Sequence, residues 1–265
     1  MRRYCLFQYV FLGVVLQVFL VFGSPYTALG QQSILSLTAE ESQFIAEHPR
    51  LRVANHTDWP PFDFQHNDKP AGLAIELVEL LATRIGFEID YVSSYNWSEL
   101  LKLGKQKDVD IFPAIKALPG QFPFLRTTAP YIENSNVLVT YNGNTSIIPG
   151  DGLQSFRLAL VAGCVTEIQV RNQFPNALIL EVDKLSTALE MVATGQADAA
   201  YGSLATVCFI INKHLLPNLK IVPATSLPEE DVREIRMAVR EDLPWLQGLL
   251  QKALDSISKP NLLEL

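Results

Sequence analysis

The residues best equipped for chemistry gather in Leu51–Phe64, LRVANHTDWPPFDF. Asp58 can hold an amine or hydrogen-bond its own turn. Trp59 and Phe62 offer flat apolar surface suited to a ring or a cation. Pro60 and Pro61 fix their own φ and bias the residue before each toward extended geometry, so both rings ride on a stiff loop. A strand that ends in such a loop and is followed by a helix resembles half of a ligand crevice in an open α/β sheet. The competing reading is that the rings cap a core. Ala114, Ile115 and Lys116 follow a third strand, where backbone groups would face the same crevice. Lys116 reads either as an anion contact or as a solvated lysine. Val165 and Thr166 open a helix after Gly163, so their amides could receive an anion; Thr166 is equally readable as an ordinary early-turn polar residue.

Other chemistries find no support. His48, His56, His66 and His214 lack metal-ligand spacing, and His56 with Asp58 is only a faint pair. No Ser-His-Asp or Cys-His arrangement and no glycine-rich phosphate loop is suggested. Glu40-Glu41 and Glu229-Glu230 read as helix-start and surface charge. The pattern is that of a binding protein using no cofactor and no metal. The net charge of −7 argues against nucleic acid or an anionic membrane surface as partner.

These residues need a framework to position them. With 265 residues, 48% hydrophobic and 18% charged, the chain is globular, long enough for one large domain or two small ones. Residues 1–30 have the pattern of a secretory signal peptide: Met1-Arg-Arg, an apolar run over Leu6–Phe22, and Ala28-Leu-Gly before Gln31. An uncleaved anchor is the alternative. Cleavage would remove Arg2 and Arg3 and no acid, taking the charge from −7 to −9. A periplasmic location follows. It is an oxidising compartment, yet Cys164 and Cys208 read as two buried free thiols rather than a bridge.

Beyond the leader, Ser36–Glu47 reads as a helix with Thr38 as N-cap and Glu41 completing a capping box. A β-α-β-α-β order follows up to Val109-Asp-Ile-Phe, and the same order recurs from Phe156 to Ala199-Ala-Tyr. Tyr131–Tyr141 is extended and crosses outward, and Ala224–Arg240 returns. A last strand, Ile235–Arg240, and a helix, Leu243–Ile257, are surplus to the second set and are expected to rejoin the first. Asp242 is expected to cap that helix, with Pro244 in its first turn. The expected architecture is α/β in two lobes, each a mainly parallel sheet flanked by helices. Residues 36–140 plus 235–258 form one lobe and 141–234 the other, with hinges near Val137–Tyr141 and Thr225–Ile235.

The residues that carry a family likeness are Leu37-Thr-Ala-Glu-Glu, Ala46-Glu-His-Pro, Trp59-Pro-Pro-Phe-Asp-Phe and Gly72-Leu-Ala-Ile-Glu-Leu. Asp108-Val-Asp-Ile-Phe-Pro-Ala, Ala129-Pro-Tyr, Gly195-Gln-Ala-Asp-Ala-Ala-Tyr and Met237-Ala-Val-Arg extend it. In this order they resemble periplasmic solute-binding proteins of family 3, with the type II Venus flytrap fold. The leading elements look most like the sensor-type branch found ahead of histidine kinases. The resemblance implies capture of a small solute by hinge closure, for an ABC-type transporter. The alternative is a ligand-sensing module working with a membrane histidine kinase.

Amino-acid-binding members of the family grip the α-carboxylate with an arginine, and the matching position here is Gln121. They hold the ammonium with an aspartate, and that slot falls on Ser203. Arg126 is a poor substitute by spacing. The implied solute is therefore small and polar but not a typical α-amino acid, taken up by a monomer. Enzymatic relatives on this fold include a lyase, whose chemistry sits in an additional C-terminal domain, and a dehydratase. Only a short tail follows the last helix here, and the matched crevice positions supply chiefly Gln, Ser and Thr. No enzyme is expected.

Overall fold

A computed structural model describes residues 35–117, 120–143, 156–223 and 233–258. The chain enters through α1 (Ala39–Glu47), whose start is set as its sequence demands. Thr38 Oγ1 accepts from the Glu41 amide at 3.2 Å, and the Glu41 carboxylate accepts from the Thr38 amide at 2.7 Å. The expected signal peptide, residues 1–30, lies outside the described residues. Among those described, no helix is long and apolar enough to cross a membrane.

The first sheet uses β1 (Arg50–His56), β5 (Glu88–Ser94), β6 (Ile111–Ile115), β7 (Leu125–Thr127), β8 (Ile132–Glu133) and β14 (Glu234–Arg240). Its order is β5-β1-β6-β14-β7, with β8 also pairing β14. Strands β5, β1 and β6 are parallel, and α2 (Leu73–Ile85) and α3 (Trp97–Lys105) make the crossovers between them. β14 runs antiparallel to β6, so the chain's penultimate element lies in the sheet that begins it. It is followed by α7 (Pro244–Asp255), whose Leu246, Leu249, Leu250 and Ala253 pack in one core with Leu51, Val53, Leu77 and Leu81.

The second sheet repeats the plan with β10 (Arg157–Val161), β11 (Leu178–Val182) and β12 (Ala199–Ser203) parallel. Helices α4 (Val165–Gln173) and α5 (Leu185–Ala193) link them. Two antiparallel strands, β9 (Asn136–Tyr141) and β13 (Leu219–Pro223), complete the order β11-β10-β12-β9-β13, and α6 (Leu204–His214) follows β12. Both sheets carry the same clamp at the ends away from the crossover helices' starts. Arg52, at the head of β1, binds Asp110 through its amide, Nε and NH2, and Arg157, at the head of β10, binds Asp198 through the same three groups. Bidentate guanidinium pairs of this kind fix geometry as well as charge.

Three expectations are corrected here. Strand Asn136–Tyr141 was assigned to the first lobe and to a hinge. It is instead an interior strand of the second sheet, because its Val137, Leu138 and Val139 are buried against β12 and β13. The chain therefore crosses just before it, at Asn134 and Ser135. The other proposed hinge, from Thr225, falls mostly outside the described residues. Asp242 does not cap α7: Arg240 and Lys107 hold its carboxylate at 2.7 and 2.8 Å, and Leu243 occupies the N-cap position without a side-chain bond. Cys164 and Cys208 form no disulfide with each other, as expected, but both are half-buried rather than buried.

Candidate functional site

The aromatic segment after β1 folds into a small antiparallel sheet of β2 (Asp58–Trp59), β3 (Asp63–His66) and β4 (Lys69–Ala71). Two anchors hold it. The carbonyls of Pro61 and Phe62 accept the first amides of α2, Leu73 N at 3.0 Å and Ala74 N at 2.8 Å. These are amides that a helix start cannot satisfy internally. The approach is so close that a Cβ on Gly72 would stand 2.5 Å from the Phe62 oxygen, and Gly72 adopts a φ of +114°. Only glycine fits there. The second anchor is Asp63, 2% exposed, whose carboxylate accepts from Asn55 Nδ2 at 2.6 Å and from the His56 amide at 3.0 Å. Burial nevertheless outweighs both bonds and pushes the Asp63 pKa up to about 7.

The segment so held forms one wall of a crevice of about 220 Å³ between the two sheets. From the first sheet the wall comprises the carboxyl ends of β1, β5 and β6: His56 with Asp58 and Trp59, Tyr95 to Ser98, and Ile115 with Lys116. The facing wall is the carboxyl ends of β10, β11 and β12: Val161 to Cys164, Asp183 to Leu185, and Tyr201 to Ser203. Asn136 and Thr206 complete the lining. Six parallel strands thus point their carboxyl ends at one space, which is where open α/β sheets bind ligands.

The two walls touch. The Phe64 and Phe209 rings lie 5.7 Å apart, and Lys184 Nζ sits 5.6 Å from the centre of the Tyr95 ring. Asp58 is half-buried, and burial raises its pKa, with Lys184, Lys213 and His214 of the facing side opposing that rise. His56 Nε2 donates to the Tyr95 carbonyl, 3.1 Å away, and the ring packs edge-on to Trp97. Burial lowers its pKa to about 4; the bond to the Tyr95 carbonyl opposes this, and Lys184 adds to it, so the ring is neutral at physiological pH.

Of the site residues expected from sequence, Asp58, Trp59, Ile115, Lys116 and Ser203 line this crevice. Phe62 does not. It is 2% exposed and packs with Ala74, Ala114 and Ile235, edge-on to Trp59, so it braces the wall from behind. Ala114 is core in the same cluster. Gln121 is half-buried in the loop after β6 and is not part of the crevice lining. Val165 and Thr166 begin α4 where expected, but their side chains lie outside the described residues. Lys116 is not a solvated lysine: its Nζ donates to the Asn134 carbonyl at 2.8 Å and to Asn136 Oδ1 at 3.2 Å. Sequence reasoning weighed His56 only as a faint metal pair with Asp58 and passed over Tyr95, Trp97, Lys184 and Asn136. The signal available for His56, Tyr95, Trp97 and Lys184 was their position just past a strand's carboxyl end. Asn136 begins a valine-rich strand and carried no such signal. No group of three or more His, Cys, Asp or Glu that could hold a metal occurs among the described residues.

Known proteins place this geometry. The chain is 28% identical over 226 residues to the virulence sensor protein BvgS of Bordetella pertussis, across 85% of this chain and 18% of that protein. The chain thus spans about a fifth of the length of such curated relatives. The crystal structure of the periplasmic VFT2 domain of Bordetella pertussis BvgS superposes with a TM-score of 0.74 at 27% identity, covering 86% of this chain and 97% of that one. A further relative is the "Probable amino-acid ABC transporter-binding protein" of Haemophilus influenzae, 23% identical over 191 residues, 71% of this chain and 73% of that protein. The fold is accordingly that of type II periplasmic binding proteins, a Venus flytrap, in a family that binds solutes and is not enzymatic. Residues 51–264 match the family profile, and the chain belongs to the bacterial extracellular solute-binding proteins, family 3.

Proposed function

We propose that this chain is a ligand-sensing module that captures a small polar solute between its lobes, its closure being read by a membrane histidine kinase. The observation that carries the reading is the likeness to a sensor protein's periplasmic domain over nearly the whole of both. The crevice supports capture: strand ends from two sheets converge on one space of solute size. Asp58, Trp59, Ile115, Lys116 and Ser203 are the contacts from the expected set, with the α4 amides opposite. The solute is not an ordinary α-amino acid, since Gln121 stands off the crevice and Ser203 brings no charge for an ammonium. Charge-assisted bonds are about twice as strong as neutral ones, so their absence matters. The leader would deliver the chain, as a monomer, to the periplasm.

Uptake through an ABC-type transporter is the second reading, favoured by the likeness to the transporter-binding protein. The test has two parts. A thermal-shift screen of the full chain against amino acids, polyamines, sugars and organic acids identifies a solute. Bound at a hundred times its dissociation constant, a ligand adds about 2.7 kcal/mol of stability. Cells lacking the gene are then assayed for uptake of that solute and for the transcriptional response to it. Retained uptake with a lost response supports sensing; lost uptake with a retained response replaces it with transport.

A further inference from the structure

We propose that the first lobe's wall of the crevice is a seat for an organic cation, a protonated amine or guanidinium, held by the Asp58 carboxylate and the His56 ring. The inference rests on the solute-capture reading and names the chemistry of that same site. Asp58 lines the crevice and is half-buried. Among the described residues its carboxylate accepts no hydrogen bond and joins no ion pair. His56 lines the same crevice two residues earlier. Its Nε2 donates to the Tyr95 carbonyl, so the neutral ring carries its proton there and Nδ1 is a bare acceptor. No donor among the described residues reaches that Nδ1. Two acceptors, one of them charged, thus stand unmatched by the protein on one wall of a space of solute size.

The cations around this wall are each engaged elsewhere. Lys184 Nζ lies 5.6 Å from the centre of the Tyr95 ring, and Lys213 Nζ 5.7 Å from that of Phe209. His214 Nδ1 faces Glu190 at 3.4 Å, and Lys116 is bonded to Asn134 and Asn136. Burial raises the Asp58 pKa, and Lys184, Lys213 and His214 together do not cancel that rise. Asp183, the other carboxylate of the lining, also has no hydrogen bond or ion pair among the described residues. The charge left unmatched in the crevice is therefore negative. An organic acid would meet both carboxylates. A neutral hydroxyl could donate to them but would bring no charge. An ammonium or guanidinium supplies donors and charge together. Trp59, Tyr95 and Trp97 line the same wall, and ring faces attract cations. Tyr95 displays that preference by holding an ammonium of the protein itself. An α-amino acid would bring its carboxylate beside the same acids, so the solute's cation has no carboxylate next to it. Lys184 is then the protein's own rival to the solute, because its charge opposes a second cation at Asp58.

The test uses the full chain and a panel of putrescine, agmatine and phenethylamine. Butanediol and phenylethanol are the neutral counterparts, succinate and phenylacetate the anionic ones. Melting temperature and calorimetric titration are read for the natural protein and two variants that pull in opposite directions. Asp58→Asn keeps the shape of the seat and removes its charge. Lys184→Met removes the rival cation and serves if the first variant fails to fold. The expected result is that at least one amine binds and its neutral and anionic counterparts do not. Asp58→Asn should weaken that amine about tenfold or more, the worth of one charge-assisted bond, and Lys184→Met should tighten it. An amine held as tightly by folded Asp58→Asn as by the natural protein overturns the seat, as does one held no more tightly by Lys184→Met. Binding by an alcohol or acid as tight as that by its amine also overturns the seat, and leaves solute capture standing. No binding by any solute of this panel or of the wider screen overturns both.

Discussion

The two perturbed groups at the base of the aromatic segment make a sharp prediction about pH. His56 is neutral when folded down to about pH 4 but titrates at 6.5 when unfolded. Between those values the unfolded chain binds the extra proton, so this group makes stability rise with pH. Asp63 is protonated when folded up to about pH 7 but titrates at 3.8 when unfolded. Between those values the folded chain binds the extra proton, so this group makes stability fall as pH rises. At about 1.4 kcal/mol per proton per pH unit, the Asp63 contribution spans about 4 kcal/mol and that of the half-buried His56 at most about 3 kcal/mol. The windows overlap from about pH 4 to 6.5, and there the two slopes cancel. Urea denaturation of the natural chain, His56→Gln and Asp63→Asn at half-unit steps from pH 4 to 7.5 resolves them. Asp63→Asn should gain on the natural protein steadily from pH 4 to 7, whatever its constant offset from the lost Asn55 and His56 contacts. His56→Gln should lose its relative advantage between pH 4 and 6.5. A difference between Asp63→Asn and the natural protein that does not change with pH would refute the reasoning, and would mean that the two donated hydrogen bonds hold the carboxylate ionised despite its burial.

Two further outcomes follow from the wall of the crevice. Phe62→Ala should cost about 3–5 kcal/mol in chemical denaturation, as for other core aromatics, whereas half-buried Trp59→Ala should cost about 1–2 kcal/mol and weaken the solute about tenfold. Equal stability losses would show both rings to be core. At Gly163 the backbone has a φ of +73°, and a Cβ would lie 3.0 Å from Ser98 Oγ across the crevice. Gly163→Ala should cost about 1–2 kcal/mol of stability, part of it recovered in combination with Ser98→Gly. Strict additivity of the two substitutions would place the whole cost in the local backbone.

What was legible in the chain is what repeats or has local rules. The doubled β-α-β-α-β order is visible because strands and crossover helices each have a period. The capping box at Thr38 is visible because its partners are three residues apart. Arg52 with Asp110, and Arg157 with Asp198, sit at matching places in the two halves, so the repeat extends to the clamps as well. What escaped depends on tertiary competition. Asp242 has the right type and place for a cap, but two cations, one of them Lys107, outbid the helix amides for its carboxylate. Phe62 and Trp59 ride on one stiff loop, and Phe62 is the ring received by the distant cluster of Ala74, Ala114 and Ile235. Gln121 lies in a stretch with no hydrophobic period to fix its register, so a position matched by alignment had no physical check. Asn136 looked like strand because it is strand; its side chain accepts from a lysine twenty positions earlier.

That lysine also ties the crevice to the crossing between lobes. Asn134 is bonded on every side: its amide donates to the Arg233 carbonyl at 2.7 Å, its Nδ2 to Ser203, and its Oδ1 accepts from the Ala205 amide at 3.3 Å. Ser135 accepts the Leu204 amide at 2.8 Å, fastening the crossing to the start of α6. From the first lobe, Lys116 reaches the Asn134 carbonyl. Rotation of the lobes at this crossing would be taken up at these bonds, because the strands on either side are held in sheets. A ligand shifts an equilibrium between lobe arrangements only by the difference in its contacts between the two states. The contacts across the crevice, Phe64 with Phe209 and Lys184 with Tyr95, exist only when the walls are together, so they set how much of that difference the protein supplies by itself.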